Sequence, residues 1–153
     1  MNISTCMKQE VASISEKATI GEAAHLFVQR HVGMLPVVGQ DNRLVGILNL
    51  HDLLDLVMPT FVHLIEDIDF VGDFGAVEEP HPTPELMARP IRTVMEDPVS
   101  VHSDSGLLRA FTFMNNHHWY DLPVVDEANR LVGLVSRVDV GSALLTFWQE
   151  GPA

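Results

Sequence analysis

At 153 residues, with 46% apolar and 20% charged side chains, the chain has the composition of a globular protein rather than a disordered one. A net charge of −12, with nine basic residues spread along the sequence, argues against a nucleic-acid duplex partner, whose phosphates call for clustered Lys and Arg. No apolar run reaches the roughly 18 residues of a membrane span. Met1–Glu10 lacks the pattern of a secretory signal, and the lone Cys6 excludes an internal disulfide, so a reducing, cytoplasmic setting is expected.

In chain order, Val11–Ile14 reads as a short opening strand. Thr19-Ile-Gly-Glu22 is a capping box, in which the Thr oxygen accepts from the third helical amide and Glu22 reaches back to the Thr amide. Ile20, Ala23, Ala24 and Phe27 then follow at helical spacing. Leu35-Pro-Val-Val38 is too short and too β-branched for a helix. The polar turn Gln40-Asp-Asn42 and the returning Arg43-Leu-Val-Gly46 make it one arm of a hairpin. A helix is predicted to start near Asp52 and to end by Met58-Pro59. Phe61, Leu64, Ile65 and Ile68 predict an extra amphipathic helix over 59–78. Four prolines within 80–90 predict an extended linker.

The programme then repeats. Val99–Val101 reads as an opening strand, and Leu107, Ala110, Phe111 and Met114 form a helical stripe capped by Ser103 or Ser105. Leu122-Pro-Val-Val125, a turn, and Asn129-Arg-Leu-Val-Gly133 restate Leu35-Pro-Val-Val38 and Asn42-Arg-Leu-Val-Gly46 at a constant offset of 87 residues, and Asp139 matches Asp52. A repeat of this length is a domain-scale unit, well above solenoid periods of roughly 20–50 residues. The order β-α-β-β-α, twice, predicts an α+β fold with mixed sheets and a pseudo-twofold axis. The units are 5–58 and 92–148, with a helical insert and linker over 59–91.

This duplicated plan resembles the cystathionine-β-synthase-type (CBS) domain pair over roughly residues 5–58 and 92–148. The resemblance implies two domains packed sheet to sheet, two clefts between them, and a regulatory rather than catalytic role. It also implies adenosine-containing ligands in the clefts: AMP, ADP or ATP first, S-adenosylmethionine next, with no other cofactor. A flat homodimer and a regulated partner protein follow from the same likeness.

The family signature Gly-x-x-Ser/Thr-x-x-Asp, whose Asp takes ribose hydroxyls, is intact as Gly133, Ser136 and Asp139; in the first copy Asn49 stands in the hydroxyl position before Asp52. By the resemblance, the Asp139 cleft also takes Met7, Val11, Ala12, Tyr120, Asp121 and Arg137. The Asp52 cleft takes Asn49, Met95, Val99, Ser100, Gly33 and Met34. Phosphate-binding members often carry a basic residue two before the Pro, where this chain has Met34 and Asp121. Arg137 and His118, or Arg30 and His51 at the other cleft, are the expected compensating cations. Ser136, Asp52 and Asp139 also suit plain helix capping. No catalytic motif is present, and the eight histidines show no His-x-x-x-His pair, so no metal site is expected. The alternative function is a dimeric scaffold for protein association, using apolar helix faces around Leu53, Leu54, Leu56, Val57, Leu144, Leu145, Phe147 and Trp148.

Overall fold

The computed structural model describes residues 1–58 and 81–152. The first half contains β1 (Ile14–Ser15), α1 (Ile20–Arg30), β2 (Met34–Val38), β3 (Leu44–Asn49) and α2 (Leu50–Leu54). A short helix, α3 (Pro84–Ala88), precedes the second half. That half contains β4 (Val101–His102), α4 (Leu107–Asn116), β5 (Asp121–Val125), β6 (Leu131–Ser136) and α5 (Arg137–Glu150). Each half holds a three-stranded sheet in which the short first strand pairs parallel with the second and the hairpin closes antiparallel. The registers correspond: Pro36 faces Ile47 as Pro123 faces Leu134, and both hairpins slip register at their last Val. The fold is thus the expected α+β pair of repeats.

Each half has its own core. Leu35, Val37, Leu48, Ala23 and Phe27 pack together in the first, and Leu122, Val124, Val135, Ala110 and Met114 in the second. Into each core runs a segment from outside its own repeat. Ile3, fully buried, sits in the second half's core, and Ile91, equally buried, in the first half's. Lys8 bridges to Leu134 through two backbone hydrogen bonds of 2.8 and 2.9 Å. Glu96 bridges to Ile47 in the same way at 2.8 and 3.0 Å. The halves therefore exchange their leading segments.

This exchange explains why the opening strands are shorter than the sequence suggests. Residues 9–13 must cross from the second half's sheet at Lys8 to the first half's sheet at Ile14. Residues 97–100 make the reverse crossing from Glu96 to Val101. The glycines of the repeated Leu-Val-Gly are required by the same crossings. A Cβ at Gly133 would lie 2.8 Å from Met7 Sδ and 2.9 Å from the Lys8 carbonyl oxygen; at Gly46 it would lie 2.8 Å from Met95 Sδ and 3.1 Å from the Glu96 oxygen.

The repeated asparagines hold the two halves to each other. Asn42 and Asn129 both adopt positive φ (60° and 64°), which Asn tolerates better than most residues. Their side-chain amides reach across in reciprocal fashion: Asn42 Nδ2 donates to the Leu131 carbonyl at 2.9 Å, and Asn129 Nδ2 to the Leu44 carbonyl at 3.0 Å. This reciprocity marks the pseudo-twofold axis.

Several local expectations change. The proline-rich linker contains α3, because Pro84 occupies the first helical turn, where its missing N–H costs nothing, and Thr83 caps it. Neither Ser103 nor Ser105 caps α4, whose N-cap is Gly106. The carbonyls of both serines instead accept from the amides of Ser4 and Ile3, which pins the turn ahead of the helix. The second helix of each repeat begins at Leu50 and Arg137, ahead of the two aspartates, and in the first copy α2 ends at Leu54. The Thr19 capping box of α1 forms as read, with Glu22 N donating to Thr19 Oγ1 and Thr19 N to Glu22 Oε2, both at 3.2 Å. The helix predicted over 59–78 lies outside the described residues, apart from which no helix is long and apolar enough to cross a membrane.

Candidate functional site

Asp52 and Asp139 each stand at the third position of the helix that follows the hairpin, and both first serve that helix end. The Asn49 amide donates to Asp52 Oδ2 at 2.7 Å, and the Ser136 amide to Asp139 Oδ2 at 2.8 Å. Ser136 Oγ completes a reciprocal cap by accepting from the Asp139 amide at 3.0 Å. The Asn49 side-chain amide makes a further contact, donating to Glu96 Oε2. The amides that open the two helices donate to Gly33 and Tyr120 carbonyls at 2.9 and 2.7 Å. The capping role is thus real in both copies, and it leaves each aspartate with a second carboxylate oxygen.

The two aspartates meet opposite charges. Lys8 and Glu96 occupy equivalent ladder positions, and they reverse sign. Lys8 Nζ lies 3.9 Å from Asp139 Oδ2. At the other end Glu96 faces Asp52, with His51 Nε2 at 3.4 Å from Asp52 Oδ1 and 3.9 Å from Glu96 Oε2. Burial is the main reason the Asp52 carboxyl is pushed up to about 6. The Asn49 amide opposes that shift, Glu96 reinforces it by a hydrogen bond and by its charge, and His51 opposes it. Asp121 is also held above the ordinary carboxylate range, mainly by burial, with the Lys8 charge lowering it and Asp139 raising it. Burial likewise raises the Cys6 thiol, and the Asp139 charge adds to that, so the thiolate form is disfavoured.

Two concave regions adjoin these groups. A cavity of about 440 Å³ between the halves is lined by Gly33, Asn49, His51 and Glu96 on one side and by His117 to Asp121 on the other. A groove of about 420 Å³ on the second half is lined by Thr5, Cys6, Asp139, Ser142 and Thr146. Residues assigned to separate clefts by resemblance, Gly33 and Asn49 on one list and Tyr120 and Asp121 on the other, therefore share a single cavity, while Asp139 opens to the groove.

Met7 packs against Gly133 and Met95 against Gly46, which sets them in the halves of Asp139 and Asp52 respectively. The crossing residues separate from these sets. Ala12 packs on the first half's core and Val99 on the second's, Ser100 lines a groove beside β4 and α4, and Val11 is half-buried on the crossing span. Met34 is buried, whereas Tyr120 is largely exposed.

The expected compensating role of Arg137 changes. Its guanidinium donates to the carbonyls of Met114 (3.2 Å) and Trp119 (3.0 Å) and lies over the Tyr120 ring, 4.7 Å from its centre. That arrangement ties α5 to the loop after α4 and leaves Arg137 a fixed brace. The cation paired with Asp139 is Lys8, whose charge also draws the Asp121 carboxyl down, and sequence reasoning missed it. A signal was present: aligning Met7 with Met95 sets Lys8 against Glu96, one basic and one acidic residue in otherwise matching frames.

A family profile for the CBS domain matches the chain twice, over residues 3–59 and 86–146. Over 132 residues the chain is 29% identical to an uncharacterized protein, MJ1232, of Methanocaldococcus jannaschii, covering 86% of this chain and 36% of that relative, so it spans about a third of the curated protein it resembles. Among solved structures, CBSX2 from Arabidopsis thaliana in complex with AMP superposes with a TM-score of 0.71 at 24% identity, covering 96% of this chain and 98% of the other. The CBS domain pair of MJ0100, in complex with 5′-methylthioadenosine and S-adenosyl-L-methionine, superposes with a TM-score of 0.69 at 18% identity, over 96% and 98% of the two chains. With both repeats matched and the exchanged segments falling inside the matched ranges, the chain belongs to the CBS-domain family, as a tandem pair.

Proposed function

We propose that the chain is a regulatory ligand-sensing module, without catalysis of its own, that binds an adenosine-containing ligand at the Asp139 side. The observation that carries this reading is the reversal of charge between Lys8 and Glu96. Asp121 and Asp139 would repel a nucleotide phosphate by about 1 kcal/mol or more each at close range, and Lys8, 3.9 Å from Asp139, offsets that charge. The Ser136–Asp139 pair stands at the N-terminus of the fourteen-residue α5, where the helix dipole favours an anion even though most of the local amides are already bonded. An AMP-type nucleotide is the first ligand class, in keeping with the AMP complex of CBSX2; S-adenosylmethionine is the second, in keeping with the MJ0100 complex.

The proposed mechanism is a population shift. Lys8 arrives on a segment that then crosses into the first half, so a ligand drawn to Lys8 and Asp139 engages an element common to both repeats. It favours the mutual orientation it binds better, by no more than its differential affinity for the two states. A homodimer partner or a regulated protein in the cytoplasm reads that orientation.

The test is calorimetry and thermal shift with AMP, ADP, ATP and S-adenosylmethionine. A ligand at a hundred times its dissociation constant stabilises by about 2.7 kcal/mol. Lys8→Ala is expected to weaken AMP more than adenosine, and Asp139→Ala to weaken both. Unchanged affinity in Asp139→Ala sinks the site assignment. A second reading, a scaffold for protein association, is favoured by Leu145, Phe147 and Trp148, exposed at 49%, 43% and 80% on α5. Absence of any ligand-induced shift, together with concentration-dependent dimerisation, would put that reading first.

A further inference from the structure

The two ends of the pair neutralise their aspartates differently. At Asp139 a lysine is built in at 3.9 Å. At Asp52 the equivalent ladder position holds Glu96, and among the described residues the only ion-pair partner of either carboxylate is His51. Two carboxylates with oxygens within 4.8 Å of each other and no lysine or arginine partner among the described residues form a site of negative potential, and here an imidazole nitrogen turns into it.

His51 Nε2 and one oxygen from each of Asp52 and Glu96 all lie within 4.8 Å of one another. Three donors bound tetrahedrally at about 2.1 Å from one ion stand about 3.4 Å apart, so modest side-chain rotation closes the set. The donors also come from two elements, α2 and the segment exchanged from before the second half. His117 and His118 line the same cavity from the other repeat.

We infer that His51, Asp52 and Glu96 form a binding site for a divalent first-row transition-metal ion such as zinc. The imidazole in the donor set favours such ions over magnesium or calcium, which prefer all-oxygen shells. No local ligand pair in the sequence signals this site. Two of these ligands are adjacent and the third lies in the exchanged segment. This site is independent of the adenosyl reading, which rests on Lys8 and Asp139. Its consequence is regulatory: an ion held by Asp52 and Glu96 would fasten the exchanged segment to the first half and occupy the carboxylate that its counterpart, Asp139, offers to a ligand.

The test is titration of the full chain with Co²⁺ alone, followed by calorimetry and by the visible absorption of the bound ion. One equivalent is expected to bind. His51→Ala and Glu96→Gln should each weaken binding by more than the roughly 10–100-fold that loss of an outer-sphere partner costs, whereas His102→Ala, on the second half, should leave it unchanged. His51 is two-thirds exposed, so its removal spares the fold. Equal affinity in wild type and His51→Ala, or no saturable binding up to about 1 mM, would overturn the assignment. AMP affinity measured in His51→Ala separates this outcome from failure of the nucleotide reading.

Discussion

Replacing Gly133 by Ala probes the crossing that brings Lys8 to the Asp139 site. The added Cβ would meet Met7 Sδ at 2.8 Å and, less forgivingly, the Lys8 carbonyl oxygen at 2.9 Å, an atom fixed by the ladder to Leu134. If the segment yields slightly, the cost is that of overpacking, about 1–3 kcal/mol. If it detaches, two backbone hydrogen bonds worth about 0.5–1.5 kcal/mol each are lost as well. The expected destabilisation is therefore between about 1 and 6 kcal/mol, up to a large fraction of the stability of an ordinary domain. Urea unfolding measures it as a lowered midpoint at constant slope. Gly46→Ala, whose nearest backbone atom stands at 3.1 Å, should cost less. Adding Met7→Ala to Gly133→Ala should rescue only part of the loss, since it removes the sulfur and leaves the carbonyl. A loss below about 0.5 kcal/mol, the range of ordinary surface substitutions, or full rescue by Met7→Ala, would refute the claim that the backbone crossing demands glycine.

Two further outcomes follow from the same geometry. Asn129→Ala should lose about 2 kcal/mol, from one cross-repeat hydrogen bond and from strain at positive φ, while Asn129→Gly should lose about half as much; equal losses in chemical denaturation would show that the backbone conformation carries no cost. The raised pKa of Asp121 means that the folded chain holds this proton to higher pH than the unfolded chain does, so this group's contribution to stability falls as pH rises above the ordinary carboxylate value. Asp121→Asn should accordingly gain on the wild type in urea unfolding between about pH 4 and pH 7, and a difference that stays flat across that range would count against burial as the cause.

The elements that read clearly from sequence are those whose signals are local. Leu-Pro-Val-Val, a turn and Leu-Val-Gly specify a hairpin because alternation, turn chemistry and β-branching agree within some fifteen residues, and Thr19 with Glu22 specify a helix start within four. The exchange of segments was implied only by the resemblance, which set Met7 with Asp139 and Met95 with Asp52; no local signal carried it, because Ile3 and Ile91 are isolated apolar residues without periodicity and their partners lie in the other repeat. The candidate site failed in the same direction. Asp52 and Asp139 could be named from spacing, but the groups that set their electrostatics, Lys8 and Glu96, arrive from far along the chain. Arg137 looked available as a cation because its sequence neighbours said nothing of the Met114 and Trp119 carbonyls that hold it.

The exchanged segments also impose a schedule on synthesis. The first half can close once residue 96 has left the ribosome, since Glu96 is the latest residue it needs to complete its ladder with Ile47. Residues 3–8 emerge ahead of both halves and yet serve the later-made one, and must wait until Leu134 appears. The chain between Lys8 and Leu134 is about two and a half times as long as that between Ile47 and Glu96, which adds about 0.8 kcal/mol of closure entropy. Assembly of the pair therefore ends with an early-made segment docking onto the later-made half as the final step.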